Sequence, residues 1–338
     1  MILRKTFSIA FLCCAIIAPD FNPSVLDGVG AQEQSGKKKA DKEKRKVIEV
    51  DDGSALLRRE QSVESLDLFY GAGGKEGAPD LTGKFAFTGE DIKGTQKKVY
   101  VKDDQGREWT VKFGSEARSE TSATRLVWAM GYHTDQDYFV ERVHIEGISG
   151  GDVRNVRFER RDDGFKNVGL WTWEKNPFVG TRELDGLKVL MVLLNNWDLK
   201  TINNKVVRPS KKSGEDPDER IYYISDLGAT FGKTGSLASG LHLPGDPPAG
   251  SKDKPSQYAH QDFIEGIRNG MVRFHYRGKD PSVLKEVSVE NARWMGEMLA
   301  RLSDKQLRDA FSSGGYKDSE ITTLIRAMQE RISALEHL

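Results

Sequence analysis

The most informative part of the sequence is LLNNWDLKTINNKVV (residues 193–207), followed after a polar insert by IYYISDLGATFG (residues 221–232). In the first segment an acid, Asp198, precedes an amide, Asn203, by five positions. In the second segment Asp226 follows an apolar run and is itself followed by Leu and Gly. Taken singly, each motif is equally typical of an Asx-type turn at the end of a helix or a strand. Their order, and their shared position after apolar segments, favour a joint role.

These side chains are the ones that phosphoryl transfer from a nucleotide requires. One carboxylate orients the attacking hydroxyl, while an amide and a second carboxylate hold the magnesium ions that bridge the phosphates. The patterns D-x-x-x-x-N and D-L-G resemble the catalytic loop and the metal-binding loop of protein kinases. Asn196-Trp197 replaces the usual His-Arg before the first acid, and Leu227 stands where Phe is commoner. The sequence therefore resembles divergent kinase-like families, such as the HipA toxin kinases and the secretory-pathway kinases, more than ordinary eukaryotic-type kinases.

The resemblance implies a role for each residue of the two motifs. Asp198 would be the base or orienting group for the acceptor hydroxyl, and Lys200 would stabilise the phosphoryl group in transfer. Asn203 and Asp226 would hold magnesium, with Asn204 as a second candidate for the amide. The implied cofactor is Mg²⁺ with ATP.

The composition is that of a soluble globular protein. The chain has 338 residues, of which 30% are charged and 37% hydrophobic. Acids and bases balance at 51 each, so the bulk charge indicates neither a nucleic acid nor an anionic membrane as a partner.

Residues 1–31 read as a signal peptide. Arg4 and Lys5 precede a short apolar run over residues 7–18, which is shorter than the roughly 20 residues of a spanning helix. Val-Gly-Ala at residues 29–31 is a plausible cleavage site. The sequence thus predicts an exported protein of bacterial type, periplasmic or extracellular, with no stable membrane span after cleavage.

The segment that follows is predicted to be a disordered charged linker, residues 32–61. Its basic run at residues 37–46 has almost no apolar side chain, so it cannot bury enough surface to offset its ordering entropy. Both cysteines, Cys13 and Cys14, lie in the signal peptide. A mature chain without cysteine excludes disulfides, thiol catalysis and cysteine-based metal sites.

Strand patterns come next, at residues 85–87, 98–101 and 108–113, and the last two alternate with period two and form a predicted hairpin. Lys112 lies in the second strand of that hairpin. Gly94, just before the hairpin, is the candidate for a phosphate-cradling turn, although the segment lacks a G-x-G-x-x-G pattern.

A predicted helix over residues 115–130 follows Lys112 and carries Glu116 and Glu120 near one face. Protein kinases pair a strand lysine, which reaches the α- and β-phosphates, with a glutamate on the next helix. Lys112 and Glu120 match that pattern, with Glu116 as the second candidate one turn earlier.

The order of these elements implies an α+β, two-lobed, protein-kinase-like fold. Residues 62–165 would form a β-rich nucleotide-binding N-lobe with one key helix. Residues 166–338 would form a mainly helical C-lobe with the catalytic and metal-binding loops.

Three functions remain open from the sequence. The first is an ATP- and Mg-dependent phosphotransferase acting on a hydroxyl acceptor, either a protein or a small molecule. The second is a catalytically silent kinase-like binding module. The third is a cell-wall or sugar-binding protein that stacks a ligand on Trp171, Trp173 and Trp197.

Overall fold

The structure is a mixed α+β arrangement of β-sheets, a separate hairpin and helices. The computed structural model describes residues 46–48, 55–91, 97–161, 164–210, 213, 216–235 and 250–338. All of these residues belong to one compact unit, Asp41–Leu338. The predicted α+β class is confirmed, whereas the division into two lobes stays a prediction. The predicted signal peptide and Gly94 lie outside the described residues.

The strands are β1 (Ala55–Leu56), β2 (Phe85–Asp91), β3 (Lys98–Asp103), β4 (Glu108–Lys112), β5 (His133–Thr134), β6 (Asp137–His144), β7 (Asp152–Arg161), β8 (Phe165–Leu170), β9 (Asn204–Pro209), β10 (Arg220–Ile224), β11 (Ile264–Arg268) and β12 (Met271–Phe274). The helices are α1 (Gly74–Gly77), α2 (Ala117–Ala129), α3 (Arg182–Leu193), α4 (Pro255–Ala259), α5 (Val289–Ala300), α6 (Asp304–Ser313) and α7 (Asp318–Glu336). Short 3₁₀ turns occur at Val63–Ser65, Gly71–Gly73, Thr201–Asn203 and Pro281–Leu284.

The first sheet is antiparallel, in the order β2-β3-β4-β7-β6. Its β3–β4 hairpin closes through Asp103, whose Oδ1 accepts hydrogen bonds from the backbone N–H groups of Gln105 (3.1 Å) and Arg107 (2.8 Å). Along β4, Trp109 and Val111 are buried in the core of this sheet. Because successive side chains of a strand alternate between faces, Lys112 points to the opposite face.

Helix α2 follows β4 and packs its apolar stripe into the larger core cluster rather than into the core of the first sheet. Ala123, Leu126 and Val127 are fully buried there, together with the apolar side chains of α3. Glu116 is the N-cap residue of α2, yet its carboxylate caps no backbone N–H. That carboxylate is therefore left for side-chain partners.

The second sheet has the order β1-β10-β9-β8, with β5 also paired to β10. Ala55 and Leu56 pair in parallel with Arg220 and Ile221, and Leu57 is 2% exposed. The apolar Leu56-Leu57 pair thus orders residues that the sequence assigns to the linker. Strand β10 runs directly into Asp226.

Side-chain caps mark the starts of α3 and α6. Thr181 accepts a hydrogen bond from the backbone N–H of Leu184 at the start of α3. Ser303 and Gln306 form a capping box at the start of α6. Among the described helices, none is both long enough and apolar enough to cross a membrane.

Candidate functional site

Four of the predicted site residues meet at one point, although they come from three elements. Lys112 is the last residue of β4, Glu116 and Glu120 lie at the start of α2, and Asp226 follows β10. Gly114, with φ +109°, makes the turn that brings the start of α2 back over Lys112. We call Lys112, Glu116, Glu120 and Asp226 the Lys112 cluster.

The Lys112 ammonium contacts all three carboxylates of this cluster. Its Nζ lies 3.0 Å from Glu116 Oε2, 3.0 Å from Glu120 Oε2 and 2.7 Å from Asp226 Oδ1. The Lys112 and Glu120 side chains are 6% and 1% exposed, whereas the Asp226 side chain is 48% exposed. Both glutamates that the sequence offers as partners of Lys112 therefore contact it, and Asp226 opens the cluster to solvent.

A buried arginine that the sequence analysis missed lies behind the cluster. Arg157 of β7 is opposite Lys112 in the sheet register and is 3% exposed. Its guanidinium lies 2.6 Å from Glu120 and 2.9 Å from Asp137, and Nη2 donates to Glu159 at 2.8 Å. The Glu120 carboxylate thus contacts two cations at once, and these contacts hold the start of α2 against the sheet.

The charges of the cluster shift the pKa values of its members. Burial alone would lower the pKa of Lys112, but attraction by Glu120, Asp226 and Glu116 outweighs it and the pKa is raised. Burial would raise the pKa of Asp226, but the Lys112 ammonium holds it below the ordinary value. For Glu120 burial dominates and raises the pKa, despite the attraction of Arg157 and Lys112. The ammonium is therefore firmly charged and Asp226 is an anion at neutral pH.

The Asp226-Leu-Gly turn packs tightly on the start of α2. Asp226 adopts the left-handed conformation (φ +55°), which Asp tolerates better than most residues, and Ser119 donates to the Gly228 carbonyl at 2.8 Å. A Cβ at Gly228 would lie 2.7 Å from the Cβ of Glu116. Glycine is therefore required there for space, and the turn and Glu116 are positioned together.

The other predicted residues form a second group of opposite charge balance, around Asp198. Its carboxylate lies 2.9 Å from the ammonium of Lys200 and 3.0 Å from that of Lys279. Lys279 comes from the segment after β12, and no sequence motif indicated it. We call Asp198, Lys200 and Lys279 the Asp198 cluster.

Hydrogen bonds tie the loops of the two clusters to each other. The amide nitrogen of Asn203 donates to the Asp198 carbonyl at 2.9 Å, and the N–H of Ser225 donates to the Asn203 carbonyl at 2.8 Å. Burial lowers the pKa of Lys200, but Asp198 and also Asp226 raise it, and the net shift is upward. The two clusters are therefore close enough to interact through their charges.

The alternative amide, Asn204, is completely buried, and neither polar atom of its side chain has a hydrogen-bond partner. Asn203 is 8% exposed and uses only its amide nitrogen in the contact with Asp198. The amide oxygen, which is the atom a metal ion would take, remains for a ligand.

A divalent cation fits the donor atoms, with one restriction. Glu116, Glu120 and Asp226 each offer a carboxylate oxygen within 4.8 Å of the others, but the Lys112 ammonium already contacts all three. Asp226 engages Lys112 through Oδ1 and is half-exposed, so its second oxygen is available. Carboxylate and amide oxygens are the ligands that Mg²⁺ prefers, and Asp226 and Asn203 each carry one oxygen of this kind.

A cavity of about 570 Å³ lies beside β4, the strand that carries Lys112. Thr110 lines it and shares the face of β4 with Lys112, because the two are two residues apart on one strand. Glu159, Tyr223 and the ion pair of Lys205 with Asp135 (2.5 Å) also line it. The lining is polar and mixed in charge.

The segment that begins at Gly250 contacts residues of both clusters' loops. Ser251 accepts a hydrogen bond from the indole nitrogen of Trp197 at 2.8 Å, and the Lys252 ammonium contacts Glu116. The backbone N–H of Asp253 donates to the Thr230 carbonyl at 3.0 Å. This segment therefore connects the loop of Asp198 to the start of α2.

No protein-family model matches the chain, and no curated protein matches it either. Among solved structures, that of the Helicobacter pylori proinflammatory kinase CtkA is similar, with a TM-score of 0.45 and 12% identity. The alignment covers 75% of this chain and 97% of that one.

Proposed function

We propose that the protein is a kinase-like phosphotransferase that moves a phosphoryl group from ATP, with Mg²⁺, to a hydroxyl acceptor. One observation carries the proposal: two clusters of opposite charge balance lie on loops joined by hydrogen bonds. In the Lys112 cluster one ammonium group lies among three carboxylates, and in the Asp198 cluster one carboxylate lies between two ammonium groups. Phosphoryl transfer needs groups of these kinds to bind the phosphates, the metal ion and the acceptor hydroxyl.

Lys112 would bind the nucleotide phosphates, and Glu120 would hold the lysine in place. The burial of Glu120 and its second partner, Arg157, make that support rigid. The cavity beside Thr110 would receive the nucleoside, since it adjoins Lys112 on the same face of β4. Its volume of about 570 Å³ lies within the usual range of small-molecule sites.

Asp226 and Asn203 would hold magnesium, which when bound neutralises the charge that builds up on the phosphates. Asp198 would accept the hydrogen bond of the acceptor hydroxyl and orient its oxygen. Its side chain is 14% exposed and its two oxygens contact Lys200 and Lys279, so the acceptor hydroxyl would share the carboxylate with these ammonium groups. Lys200 is 41% exposed and reaches toward the same space.

The third function considered from the sequence, binding of a sugar or of cell wall by stacking on tryptophan rings, would need rings that a ligand can reach. Trp171, Trp173 and Trp197 are 0%, 3% and 6% exposed. The indole nitrogens of Trp171 and Trp173 donate to the carbonyls of Tyr223 and Leu199. These rings are packed in the core and do not offer a stacking surface for sugar. A silent kinase-like module remains the alternative, and the export predicted from residues 1–31 is part of the proposal in either case.

The test is thermal and chemical denaturation of the full chain with ATP and Mg²⁺. A ligand that binds only the folded state adds RT ln(1 + [L]/Kd), about 2.7 kcal/mol at 100 Kd. We expect that stabilisation in wild type, its dependence on Mg²⁺, and its loss in Asp226→Ala. A matched control is Asp216→Ala, because Asp216 is an exposed acid in the turn before β10.

Stabilisation by nucleotide without phosphate transfer to a hydroxyl acceptor, including the hydroxyl groups of the chain itself, would identify the silent module. Absence of any stabilisation by nucleotide and Mg²⁺ would refute the phosphotransferase.

A further inference from the structure

Lys279 lies on the candidate acceptor side of the site, yet no motif of the sequence accounts for it. Its Nζ is 3.0 Å from Asp198 Oδ1, while the Nζ of Lys200 is 2.9 Å from Asp198 Oδ2. Two ammonium groups therefore share a single carboxylate. The cluster has two positive charges against one negative charge, which leaves an excess of one positive charge.

The position of Lys279 is built into the chain and is not a chance surface contact. Its backbone N–H donates to the Trp197 carbonyl at 2.9 Å, and its own carbonyl accepts from the Tyr276 hydroxyl at 3.1 Å. A Cβ on the preceding residue, Gly278, would lie 2.7 Å from the Trp197 carbonyl oxygen and 2.3 Å from Tyr276 Oη. The backbone before Lys279 is thus pressed against the residue that precedes Asp198, and only glycine fits.

Both ammonium groups can be reached by a ligand. The side chain of Lys279 is 24% exposed and that of Lys200 is 41% exposed. Burial and the neighbouring Lys200 hold the pKa of Lys279 below its ordinary value, although Asp198 attracts the charge. Like charges at short range repel, and an anion between them would relieve that repulsion.

We propose that Lys200 and Lys279 together form a binding site for a phosphoryl dianion. Where that phosphate comes from rests on the proposed function: in phosphotransfer it would be the terminal phosphate of the nucleotide, clamped from two sides beside Asp198. A phosphorylated acceptor or free phosphate would offer the same chemistry to the same two lysines. Lys279 is then a binding residue that the sequence motifs do not include.

The first experiment uses inorganic phosphate alone as the probe, titrated calorimetrically into the full chain in a phosphate-free buffer. We expect Lys279→Met to weaken phosphate binding at least tenfold and Lys279→Arg, which keeps the charge, to stay within a few-fold of wild type. Lys285→Met is the matched control, because Lys285 is an exposed lysine of the same segment. Lys285→Met should bind phosphate as wild type does.

The second experiment identifies the source by comparing ADP with a non-hydrolysable ATP analogue, both with Mg²⁺. If the terminal phosphate occupies the clamp, Lys279→Met weakens the analogue about tenfold and leaves ADP unchanged. If wild type binds phosphate through Lys279 but binds neither nucleotide, the clamp stands and the proposed function fails.

The clamp itself is overturned if Lys279→Met binds phosphate as tightly as wild type, whatever the nucleotides do. It is equally overturned if Lys285→Met or Lys279→Arg loses phosphate binding as fully as Lys279→Met does. Unchanged phosphate binding in Lys279→Met would show that Lys279 contacts no phosphate. Equal loss of binding in Lys285→Met or Lys279→Arg would show that the loss reflects disturbed folding of the segment.

Discussion

The Lys112 cluster and the Asp198 cluster are charge opposites built with the same pair of residue types. In the first, one ammonium lies among three carboxylates. In the second, one carboxylate lies between two ammonium groups. The first cluster has a net negative charge and the second a net positive charge. One backbone hydrogen bond, from Ser225 just before Asp226 to the carbonyl of Asn203, links the two loops.

The two clusters also differ in burial, and that difference separates structural support from ligand contact. Lys112 and Glu120 are almost completely buried and are backed by Arg157. Lys200 and Lys279 are partly exposed, with no such second layer among the described contacts. Removing one partner of a buried ion pair is costly, while an exposed pair contributes little. The Lys112 cluster should therefore support the fold, and the Asp198 cluster should be available to ligands.

The largest effect is expected from Arg157→Ala. This change leaves Asp137 buried without a cation and Glu120 with Lys112 alone, and the cost of breaking such a buried pair is about 3–5 kcal/mol. Urea denaturation at neutral pH measures it. Arg161→Ala is the matched control on the same strand, because its pair with Glu108 is long (3.4 Å) and exposed. That control should lose less than about 1 kcal/mol. Equal losses in the two variants would show that the buried network does not support the fold.

Acid should act first at His133, a partly buried histidine of the second sheet. His133 of β5 lies next to Tyr223 of β10, the strand that leads to Asp226. Burial, assisted by Arg59, lowers the pKa of His133 from 6.5 to about 4. The unfolded chain therefore takes up a proton below pH 6.5 while the folded chain resists it down to about pH 4.

The stability contributed by neutral His133 is thus complete above pH 6.5 and is lost as the pH falls toward 4. The slope is at most about 1.4 kcal/mol per pH unit, or about 3 kcal/mol over the interval. His133→Phe should flatten the curve of unfolding free energy against pH, and the buried Nε2 has no hydrogen-bond partner to lose. His260→Gln, at an exposed histidine, should leave the curve unchanged. An unchanged curve in His133→Phe would assign the acid sensitivity to the carboxylates instead.

The clusters also differ in how much of them the sequence predicts. The sequence offers each member of the Lys112 cluster as a candidate, since Lys112, its two glutamates and Asp226 each belong to a local pattern in a strand, helix or turn, although it does not place Asp226 against Lys112. The strands around Lys112 and the helix that follows it were predicted for the same reason, because their periodicities are local.

Arg157, Lys252 and Lys279 were not predicted, because their partners lie far away along the chain. Arg157 reaches Glu120 only through the pairing of β7 with β4, and Lys279 reaches Asp198 across 81 positions (279 − 198). Periodicity does not give sheet register or loop docking, which depend on packing of distant segments. The close approach of Gly278 to the Trp197 carbonyl, which positions Lys279, is visible only in the structure.

The smallest effect is expected from Lys200→Met. The contact with Asp198 is short, at 2.9 Å, but Lys200 is 41% exposed and Lys279 stays as a second partner of the carboxylate. An exposed ion pair contributes about 0–1 kcal/mol, so the free energy of unfolding in phosphate-free buffer should change by no more than that. The same urea titration that measures Arg157→Ala provides the comparison. A loss of several kcal/mol of unfolding free energy in Lys200→Met would mean that the Asp198 cluster also supports the fold. Weaker ligand binding in the lysine variants could then no longer be attributed to lost contacts with the ligand. A loss below 1 kcal/mol would leave the positive charge of that cluster without a structural purpose, as expected if its function is to bind an anion.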